Sequence, residues 1–445
     1  TGVQTCALPI WFVPPLSRSA RNSVHSPAAS SPLNEPSSAL RDEPSVTTAG
    51  SAVRPSGSQM PVSGDPVAGA LRVDKVETVP ADPASGVLAA FRKIGAQPPA
   101  VAYFVHGTTL ALNALLTRTG ATVAIVTNEG FRDLFELGRT DREPMYDLRF
   151  RKPERLVPRS RVFEVGGRLA WDGSELRPLD PASVERAAAG IRAAGATSVA
   201  VCLLHSYANP AHELAVGEQL ARALPGSEVT LSHELLREYR EYERMSTSVL
   251  DAYVKPVVRA YLARLQGELA SQGFGGRFLM TRSGGGTMTV EAAKDRPVNL
   301  VLSGPAGGVV GAAAFADLIG EPNVITLDMG GTSLDASIII DGRPVLTRDA
   351  TFQGLPVSLP SLDINTIGAG GGSIAWIDEV GALKVGPRSA GADPGPICYR
   401  LGGTQPTITD ANVILGRIGA DDFLGGEMKL DRDGAIKGMM KVVGD

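Results

Sequence analysis

The sequence has little of what marks several specialised classes of protein. Its three cysteines lie far apart and form no Cys-x-x-Cys pair, so neither a disulfide framework nor a zinc site of that kind is indicated. No apolar run is long enough to span a membrane, and the short apolar run near the start lacks the basic segment of a signal peptide. We therefore expect a cytoplasmic protein with no membrane segment.

Positive and negative charges are nearly balanced. The 43 Lys and Arg residues stand against 47 Asp and Glu residues, which gives a formal net charge of −4 and a sequence pI of about 5.9. Without a basic excess, nucleic acid is not an expected partner. The hydrophobic share of 43% and the charged share of 20% are those of an ordinary globular chain, and 445 residues suffice for roughly two domains.

The first 67 residues differ from the rest of the chain. Residues 1–10 read TGVQTCALPI and resemble the translation of a sequencing adapter; a natural tail is the alternative. In residues 11–66, 22 of 56 residues are Ser or Pro, and no helical or strand period is present. Such a segment has too little apolar surface to offset the entropy of folding. We predict that residues 1–67 are disordered and foreign to the natural protein.

Strand-like and helix-like patterns alternate from residue 68 to the end of the chain. They predict an α/β fold with mainly parallel sheets covered by helices, divided into a first lobe at residues 68–302 and a second at residues 303–445. The long helical pattern of residues 234–273 is expected to break at Pro256. The apolar run VNLVLS, at residues 298–303, is predicted to be a strand.

The segment Asp328-Met-Gly-Gly-Thr-Ser-Leu-Asp335 lies between two strand-like runs, VITL and ASIII. Its glycines allow backbone N–H groups to approach phosphate oxygens, and Asp328 is placed to hold Mg²⁺ beside them. Asp335 closes the motif and is a second catalytic candidate. The alternative is a hairpin whose turn is only structural. The candidate phosphate contacts are Gly330, Gly331, Thr332 and Ser333.

A second glycine-rich segment, IGAGGGS at residues 367–373, precedes another strand-like run. This context argues against a dinucleotide-binding fingerprint, which opens a long helix. Successive backbone N–H groups in such a segment can form an anion-binding nest, whereas a structural glycine turn is the alternative. The candidate ligand contacts are Gly370, Gly371, Gly372 and Ser373.

With these motifs the chain resembles the hydantoinase A/5-oxoprolinase family, within the superfamily of actin-like ATPases. The resemblance implies a two-lobed actin-like ATPase (ribonuclease H-like) fold with ATP and Mg²⁺ as cofactors. It gives the segment from Asp328 to Asp335 the role of a second phosphate loop. The motifs that carry the resemblance lie at residues 106–139, 206–213, 232–254, 303–312, 328–337, 364–378, 385–399 and 406–418.

The resemblance also bears on residues whose local pattern is ambiguous. His106, Thr108 and Thr109 stand between a strand-like run and a helix, where the pattern alone favours a helix cap beside a half-buried histidine. Similarity to the family makes His106 a catalytic candidate and the two threonines candidate anion contacts. Glu241 and Arg244 lie in a run whose alternating charges are typical of a solvated helix face, and the resemblance makes them candidates for a cleft.

The implied activity is an ATP-dependent reaction on a cyclic amide such as a hydantoin or 5-oxoproline. Phosphorylation of the amide oxygen makes an unstrained amide reactive enough for ring opening. A hydantoinase B-type partner subunit, or a fused domain of that type, is implied, and with it a hetero-oligomer. The alternatives are an ATP-dependent ketone carboxylase subunit and a catalytically silent scaffold subunit.

The sequence departs from the family pattern at both ends. The family's first phosphate loop, of the type G-x-D-x-G-G-T-F-T-D, is not found before residue 69, and the family continues beyond residue 445. We therefore expect a fold that is incomplete at both ends. We also expect this chain to bind ATP weakly or not at all, because phosphoryl transfer depends on preorganised contacts from both loops.

Overall fold

The computed structural model describes most of the chain beyond residue 57. The described residues are 58–59, 62–65, 70–73, 76–77, 82–139, 146, 149, 155–331, 334–348, 350–352, 354–391, 393–421, 423–426 and 428–444. The predictions for residues 1–57, and those for Thr332 and Ser333 as phosphate contacts, lie outside these residues.

The α-helices follow the predicted alternation. Asp82 is the N-cap of the first one and accepts the N–H of Ser85, and Pro83 follows it at the first helical position. The helices in the described ranges are α1 (Pro83–Lys93), α2 (Leu110–Leu116), α3 (Leu134–Leu137), α4 (Pro181–Ala193), α5 (Ala211–Ala223), α6 (Ser232–Leu235), α7 (Glu241–Ser271), α8 (Val290–Asp295), α9 (Ser303–Ile319), α10 (Ile408–Ile414) and α11 (Arg432–Val443).

The strands are mostly short. Those of the first half of the described chain are β1 (Ser58–Gln59), β2 (Val62–Asp65), β3 (Ala70–Val73), β4 (Val76–Glu77), β5 (Tyr103–His106), β6 (Val123–Asn128), β7 (Val162–Val165), β8 (Arg168–Leu169), β9 (Glu175–Arg177), β10 (Ser198–Val201), β11 (Glu228–Leu231), β12 (Arg277–Thr281) and β13 (Thr287–Thr289). The later ones are β14 (Val324–Met329), β15 (Leu334–Ile340), β16 (Arg343–Pro344), β17 (Leu346–Thr347), β18 (Ala350–Phe352), β19 (Leu355–Val357), β20 (Ser361–Leu362), β21 (Ile364–Ile367), β22 (Ser373–Ile377) and β23 (Leu383–Ser389).

A parallel sheet with the strand order β11-β10-β6-β7 lies at the centre of the first half. Every residue of β6 and β10 is buried, because helices cover both faces of the sheet. On one face, Val126 and Val199 share a core with α4 and α5. On the other face, Ile125 and Ala200 share a core with α7. The predicted α/β class is confirmed. The expectation of mainly parallel sheets holds for this sheet but is wrong for the described chain as a whole, where most strand pairs are antiparallel.

Helix α7 runs without a break through Pro256, so the predicted interruption there is wrong. Proline removes one helical N–H donor and crowds the preceding turn. In that turn the carbonyl of Tyr253 accepts a hydrogen bond from the N–H of Ala121 at 2.9 Å. Buried side chains on both sides of the proline, among them Val254 and Val258, hold the helix in the core. Tertiary packing therefore outweighs the local effect of the proline.

A smaller sheet, in the order β13-β12-β5, lies beside the start of α9, with β12 parallel to β5. The run VNLVLS, which precedes this helix, is not a strand. Its first residues belong to a 3-10 helix, Pro297–Leu300, and its last residue begins α9. The strand prediction is therefore wrong. The run is buried except at the half-buried Asn299, and a short, mainly apolar run has no period that distinguishes a strand from a helix.

The second half of the chain is built on the antiparallel hairpin of β14 and β15, and β15 pairs also with β16 and β21. Helix α9 packs Ala306 and Val309 against Ile339 of β15. A separate small core joins α10 and α11 around Val413 and Ala435. The division into two lobes at residue 303 stays a prediction.

Two short strands lie in the segment that was expected to be disordered. Strand β1 pairs with β4, and β2 pairs with β3, both antiparallel. The prediction of disorder up to residue 67 is therefore wrong at these strands, because pairing with later residues supplies backbone hydrogen bonds that composition does not reveal. Within the described part of the chain, no helix is long and apolar enough to cross a lipid bilayer.

Candidate functional site

Two aspartates face each other in the β14–β15 hairpin. Asp328 and Asp335 are direct partners in the antiparallel register, a position in which Cβ atoms lie about 4.5–5.5 Å apart. Burial raises the pKa of Asp335, and the negative charge of Asp328 raises it further, while a hydrogen bond opposes the shift. That bond is donated by Thr366 Oγ1 at 2.7 Å. Carboxylates this close repel each other, and a bound cation would relieve the repulsion.

The turn of this hairpin is held by the glycine-rich segment. The N–H of Gly371 donates to the carbonyl of Gly330, and the N–H of Gly372 donates to the carbonyl of Gly331, both at 2.7 Å. These two bonds connect residues about 40 positions apart in the chain. The backbone of the turn is therefore fixed from outside the hairpin.

The other residues of the glycine-rich segment are also engaged within the protein. The N–H of Gly370 donates to Ser373 Oγ at 2.8 Å, and Ser373 is fully buried. In this structure the segment acts as a clamp on the hairpin turn, since its successive amides donate to protein oxygens. Direct ligand contacts of Gly370, Gly371, Gly372 and Ser373 stay a prediction.

Close packing requires glycine at two positions of the clamp. A Cβ on Gly372 would lie 2.9 Å from the carbonyl oxygen of Gly331, and a Cβ on Gly371 would lie 2.7 Å from Thr409 Oγ1. Both the N–H and the hydroxyl of Thr409 donate to the Gly371 carbonyl, at 2.8 and 2.9 Å. The sequence reasoning missed Thr409 as part of the site, because nothing in its local pattern connects α10 with the hairpin.

His106 ends β5 and is 1% exposed. Its Nε2 and the hydroxyl of Tyr261 share a hydrogen bond of 2.7 Å, and its ring stacks on Phe104 with centroids 5.9 Å apart. Among the described residues, none bonds to Nδ1. Burial lowers the pKa of His106 to about 4, so the ring is neutral near pH 7. A neutral imidazole can exchange a proton but offers no charge to a phosphate.

Thr108 ties the loop after β5 to the start of α9. Its N–H donates to Ser303 Oγ at 3.2 Å, and Ser303 Oγ donates to the Thr108 carbonyl at 2.8 Å. Thr108 Oγ1 accepts the N–H of Leu110 at 3.1 Å. Thr109 is the N-cap residue of α2, and its hydroxyl accepts a bond from Asn113 Nδ2 at 3.3 Å. Both threonines thus support local structure, and their contact with an anion stays a prediction.

The structure gathers the predicted residues in two groups rather than one. Asp328, Asp335 and the glycine clamp form a connected hairpin site, whereas His106 and Thr108 bond to Tyr261 and Ser303. Ser283, which the sequence reasoning missed, lies between the two regions. Its hydroxyl accepts the N–H of Leu302 at 3.0 Å, and its carbonyl accepts the N–H of Leu362 at 2.8 Å, two residues before β21. The glycine run that follows Ser283, directly after β12, was the signal available in the sequence.

In the described part of the chain, no group of three or more His, Cys, Asp and Glu side chains is arranged to hold a metal ion. A metal at the hairpin would rest on Asp328 and Asp335, with the remaining ligands from phosphate and water. Mg²⁺ takes this kind of ligand set, because it keeps several waters and binds through one or two carboxylates plus phosphate oxygens. The two facing carboxylates therefore fit Mg²⁺ with a nucleotide.

Comparison with known families gives two matches that together cover most of the chain. The family described as Hydantoinase/oxoprolinase matches residues 244–445, which include the hairpin and the clamp. The family described as Hydantoinase/oxoprolinase N-terminal region matches residues 62–224, which include His106 and the parallel sheet. The second match begins at β2, inside the segment that was expected to be foreign.

The chain is similar in sequence to one subunit of a caprolactamase and to one subunit of a carboxylase. The caprolactamase subunit alpha of Pseudomonas jessenii is 40% identical over 334 residues, which are 75% of this chain and 48% of the relative. The acetophenone carboxylase gamma subunit of Aromatoleum aromaticum is 35% identical over 402 residues, which are 84% of this chain and 54% of the relative. The solved structure of the ATP-dependent caprolactamase from Pseudomonas jessenii matches with a TM-score of 0.72 and 36% identity, over 84% of this chain and 55% of that chain. The chain spans about half the length of these relatives.

Proposed function

The chain belongs to the hydantoinase/oxoprolinase family and has the α/β fold of actin-like ATPases, and from this we propose that it takes part in the ATP-dependent ring opening of a cyclic amide. An unstrained amide resists attack by water. Transfer of a phosphoryl group from ATP to the amide oxygen makes the carbonyl carbon a better electrophile. Water then adds to this carbon, the ring C–N bond breaks as the nitrogen takes up a proton, and hydrolysis of the resulting acyl phosphate releases the carboxylate and phosphate. The similarity to a caprolactamase subunit supports a lactam or hydantoin as substrate.

The observation that carries this proposal is the clamped hairpin with its two facing aspartates. We assign to Asp328 the binding of Mg²⁺, and to Asp335 a supporting position beside it. Bound Mg²⁺ would neutralise phosphate charge during phosphoryl transfer. The clamp from Gly371 and Gly372 fixes the turn before a ligand arrives, and such preorganisation is the main way in which a protein stabilises a charged transition state.

We also propose roles for the other candidate residues of the site. Gly330 and Gly331, with Thr332 and Ser333, would bind the nucleotide phosphates, and the segment from Gly370 to Ser373 would support them. His106, neutral and buried, would offer a hydrogen bond to the substrate rather than a charge. Thr108 and Thr109 would order the loop beside it.

We also propose a partner subunit. The two named relatives are an alpha subunit and a gamma subunit, so each belongs to an assembly of more than one chain. A hydantoinase B-type subunit, or a fused domain of that type, would complete the enzyme and make it a hetero-oligomer. The attack of water on the activated amide would then take place with the partner present.

The test is Asp328→Asn in the full-length protein with its partner. ADP release that depends on a hydantoin, 5-oxoproline or caprolactam should fall on the order of 100-fold, because the metal and the phosphates lose their carboxylate anchor. Asp317→Asn, at an exposed position on α9, is the matched control and should keep the wild-type rate. A wild-type rate in Asp328→Asn would contradict the assignment.

A second function is favoured by the similarity to a carboxylase subunit. In that case ADP release would depend on a ketone together with bicarbonate, and no cyclic amide would stimulate it. The same assay, run with acetone or acetophenone plus bicarbonate, separates the two reactions. Absence of ADP release with either class of substrate would indicate a silent scaffold subunit.

A further inference from the structure

The parallel sheet has a topological switch point between β6 and β10. From β6 the chain passes to β7 on one side, and then crosses to β10 on the other side. In open α/β sheets, ligands bind at the carboxyl ends of the strands where the direction of winding reverses. Here those ends are Asn128, the last residue of β6, and the segment after Val201. The proposed reaction uses neither of them.

Arg244 reaches this switch point from the start of α7. Among the described residues it is the bulkiest of the fully buried side chains, with 0% exposure. Its Nη2 donates to the carbonyl of Leu203 and lies 3.7 Å from the Sγ of Cys202. Its Nε and Nη1 have no hydrogen-bond partner in the described part of the chain. The one N–H on Nε and the two on Nη1 therefore lack an acceptor.

The neighbouring carboxylate is fully occupied by other donors. Glu213 Oε1 accepts the N–H of Leu203 at 2.8 Å and the hydroxyl of Ser232 at 2.6 Å. Glu213 Oε2 accepts the N–H of His233 at 3.0 Å and bonds to its Nδ1 at 2.7 Å. Burial alone would raise the pKa of Glu213, but these bonds and the charge of Arg244 hold it below the usual value. Glu213 is thus an ionised carboxylate whose two oxygens are already occupied by hydrogen bonds, so it has no acceptor left for the guanidinium of Arg244.

Arg244 nevertheless stays charged. Burial opposes its protonated form, yet the nearby Cys202 and Glu213 raise the pKa of Arg244 above its ordinary value. A buried cation whose N–H donors lack acceptors is energetically unfavourable unless an anion binds beside it and accepts these hydrogen bonds. The guanidinium is planar, and its fixed donors suit an oxyanion. Because Arg244 is fully buried, a small planar oxyanion fits beside it more readily than the bulkier phosphate.

The ring of Tyr207 lies over the guanidinium of Arg244. The half-buried Tyr207 ring lies 5.4 Å from the Cζ of Arg244, and the Tyr207 hydroxyl and His205 Nδ1 share a bond of 3.1 Å. His205 has a φ of 61°, and Arg240, just before α7, has a φ of 79°. Such left-handed backbone in residues other than glycine costs energy and concentrates at functional sites.

We propose that Arg244 anchors a second binding site at this switch point, which takes a small planar oxyanion: a carboxylate or bicarbonate. The oxyanion accepts from an unpartnered N–H of Nη1 or of Nε, which lie on opposite sides of the guanidinium, and it enters when Tyr207 rotates away. The ligand's origin rests on the proposed function, because ring opening of a cyclic amide produces a carboxylate and the carboxylase reaction consumes bicarbonate. The site is separate from the Asp328 hairpin.

Thermal unfolding of the full chain at constant ionic strength tests this inference, with acetate, bicarbonate, inorganic phosphate and chloride as probes. We expect a saturable rise in Tm with acetate, bicarbonate or both. Arg244→Lys keeps a cation but loses the planar donors, so its half-saturating concentration should rise roughly tenfold or more. Arg244→Met should abolish the response. Arg237→Met, at an exposed arginine of the same run, should respond like the wild type.

A response to acetate alone supports a carboxylate of the substrate or product as the ligand, and a response to bicarbonate alone supports the carboxylase co-substrate. The inference is overturned if the wild type shows no saturable response to either planar anion, a measurement that needs no variant to fold. It is equally overturned if phosphate or chloride acts as well as they do, or if Arg244→Lys responds like the wild type. No ATP is present, so a failure here leaves the Asp328 result untouched.

Discussion

Replacement of His106 by phenylalanine should change how the stability of the protein depends on pH. His106 is 1% exposed, stacks on Phe104 and bonds through Nε2 to Tyr261. Burial lowers its pKa from 6.5 to about 4. The unfolded chain therefore binds a proton more readily than the folded protein between these two values, and the folded protein loses stability as the pH falls through this window.

The size of the effect follows from the two pKa values. At pH 8 the histidine is neutral in both states and contributes no pH dependence. At pH 5 it is almost fully protonated in the unfolded chain and mostly neutral in the folded protein, which costs the folded state about 2 kcal/mol relative to pH 8. His106→Phe removes this term. The free energy of unfolding of the wild type should therefore fall by about 2 kcal/mol more than that of the variant over this range.

The assay is urea unfolding followed by circular dichroism at pH 8, 7, 6 and 5, for the wild type and His106→Phe. Tyr261→Phe is the matched control. It removes the hydrogen bond but leaves His106 buried, so it should keep the wild-type pH dependence. NMR of the imidazole Cε1–H groups gives a direct second reading, because the chain has only five histidines and the variant identifies the His106 signal.

Two results would refute this reasoning. One is a parallel loss of stability in the wild type and His106→Phe between pH 8 and pH 5, which would mean that His106 contributes nothing to the pH dependence. The other is an imidazole signal of His106 that titrates above pH 6. Either result would show that the ring is hydrated or bonded to a carboxylate in the folded protein.

Two further predictions concern the clamp and the core. Gly372→Ala places a Cβ 2.9 Å from the Gly331 carbonyl oxygen, so the protein should lose about 1–3 kcal/mol of stability in urea unfolding. The control is Gly368→Ala, whose Cβ meets no atom within 4 Å and which should keep the wild-type stability. Equal losses of stability in the two variants would contradict the clamp. Asp251→Asn leaves Lys255 buried without its carboxylate, which now lies 3.0 Å away, and should cost about 3–5 kcal/mol. Asp251→Asn/Lys255→Met should recover part of this loss, and a cost below about 1 kcal/mol for the single variant would contradict the burial of this pair.

Local patterns predicted much of the fold. The alternation of apolar runs and amphipathic helices predicted the α/β class, because burial on both faces of a parallel sheet demands near-continuous apolar strands. The hairpin from Asp328 to Asp335 was also predictable, because it is specified by residues a few positions apart. Predictions failed where distant residues decide, as at Pro256, where contacts from the rest of the core keep α7 continuous.

In the candidate site, too, some features were predictable from the sequence and others depend on the tertiary structure. The sequence by itself determined the resemblance to the family, the hairpin and the two aspartates at its ends; the register that makes these aspartates direct partners is seen in the structure. Only the tertiary structure decided that the glycine-rich segment clamps this turn, that His106 is neutral and bonded to Tyr261, and that Arg244 is a buried cation rather than a solvated one. The physical reason is that pKa values, burial and hydrogen-bond partners depend on groups brought together across 40 to 155 residues of chain, which no local pattern encodes.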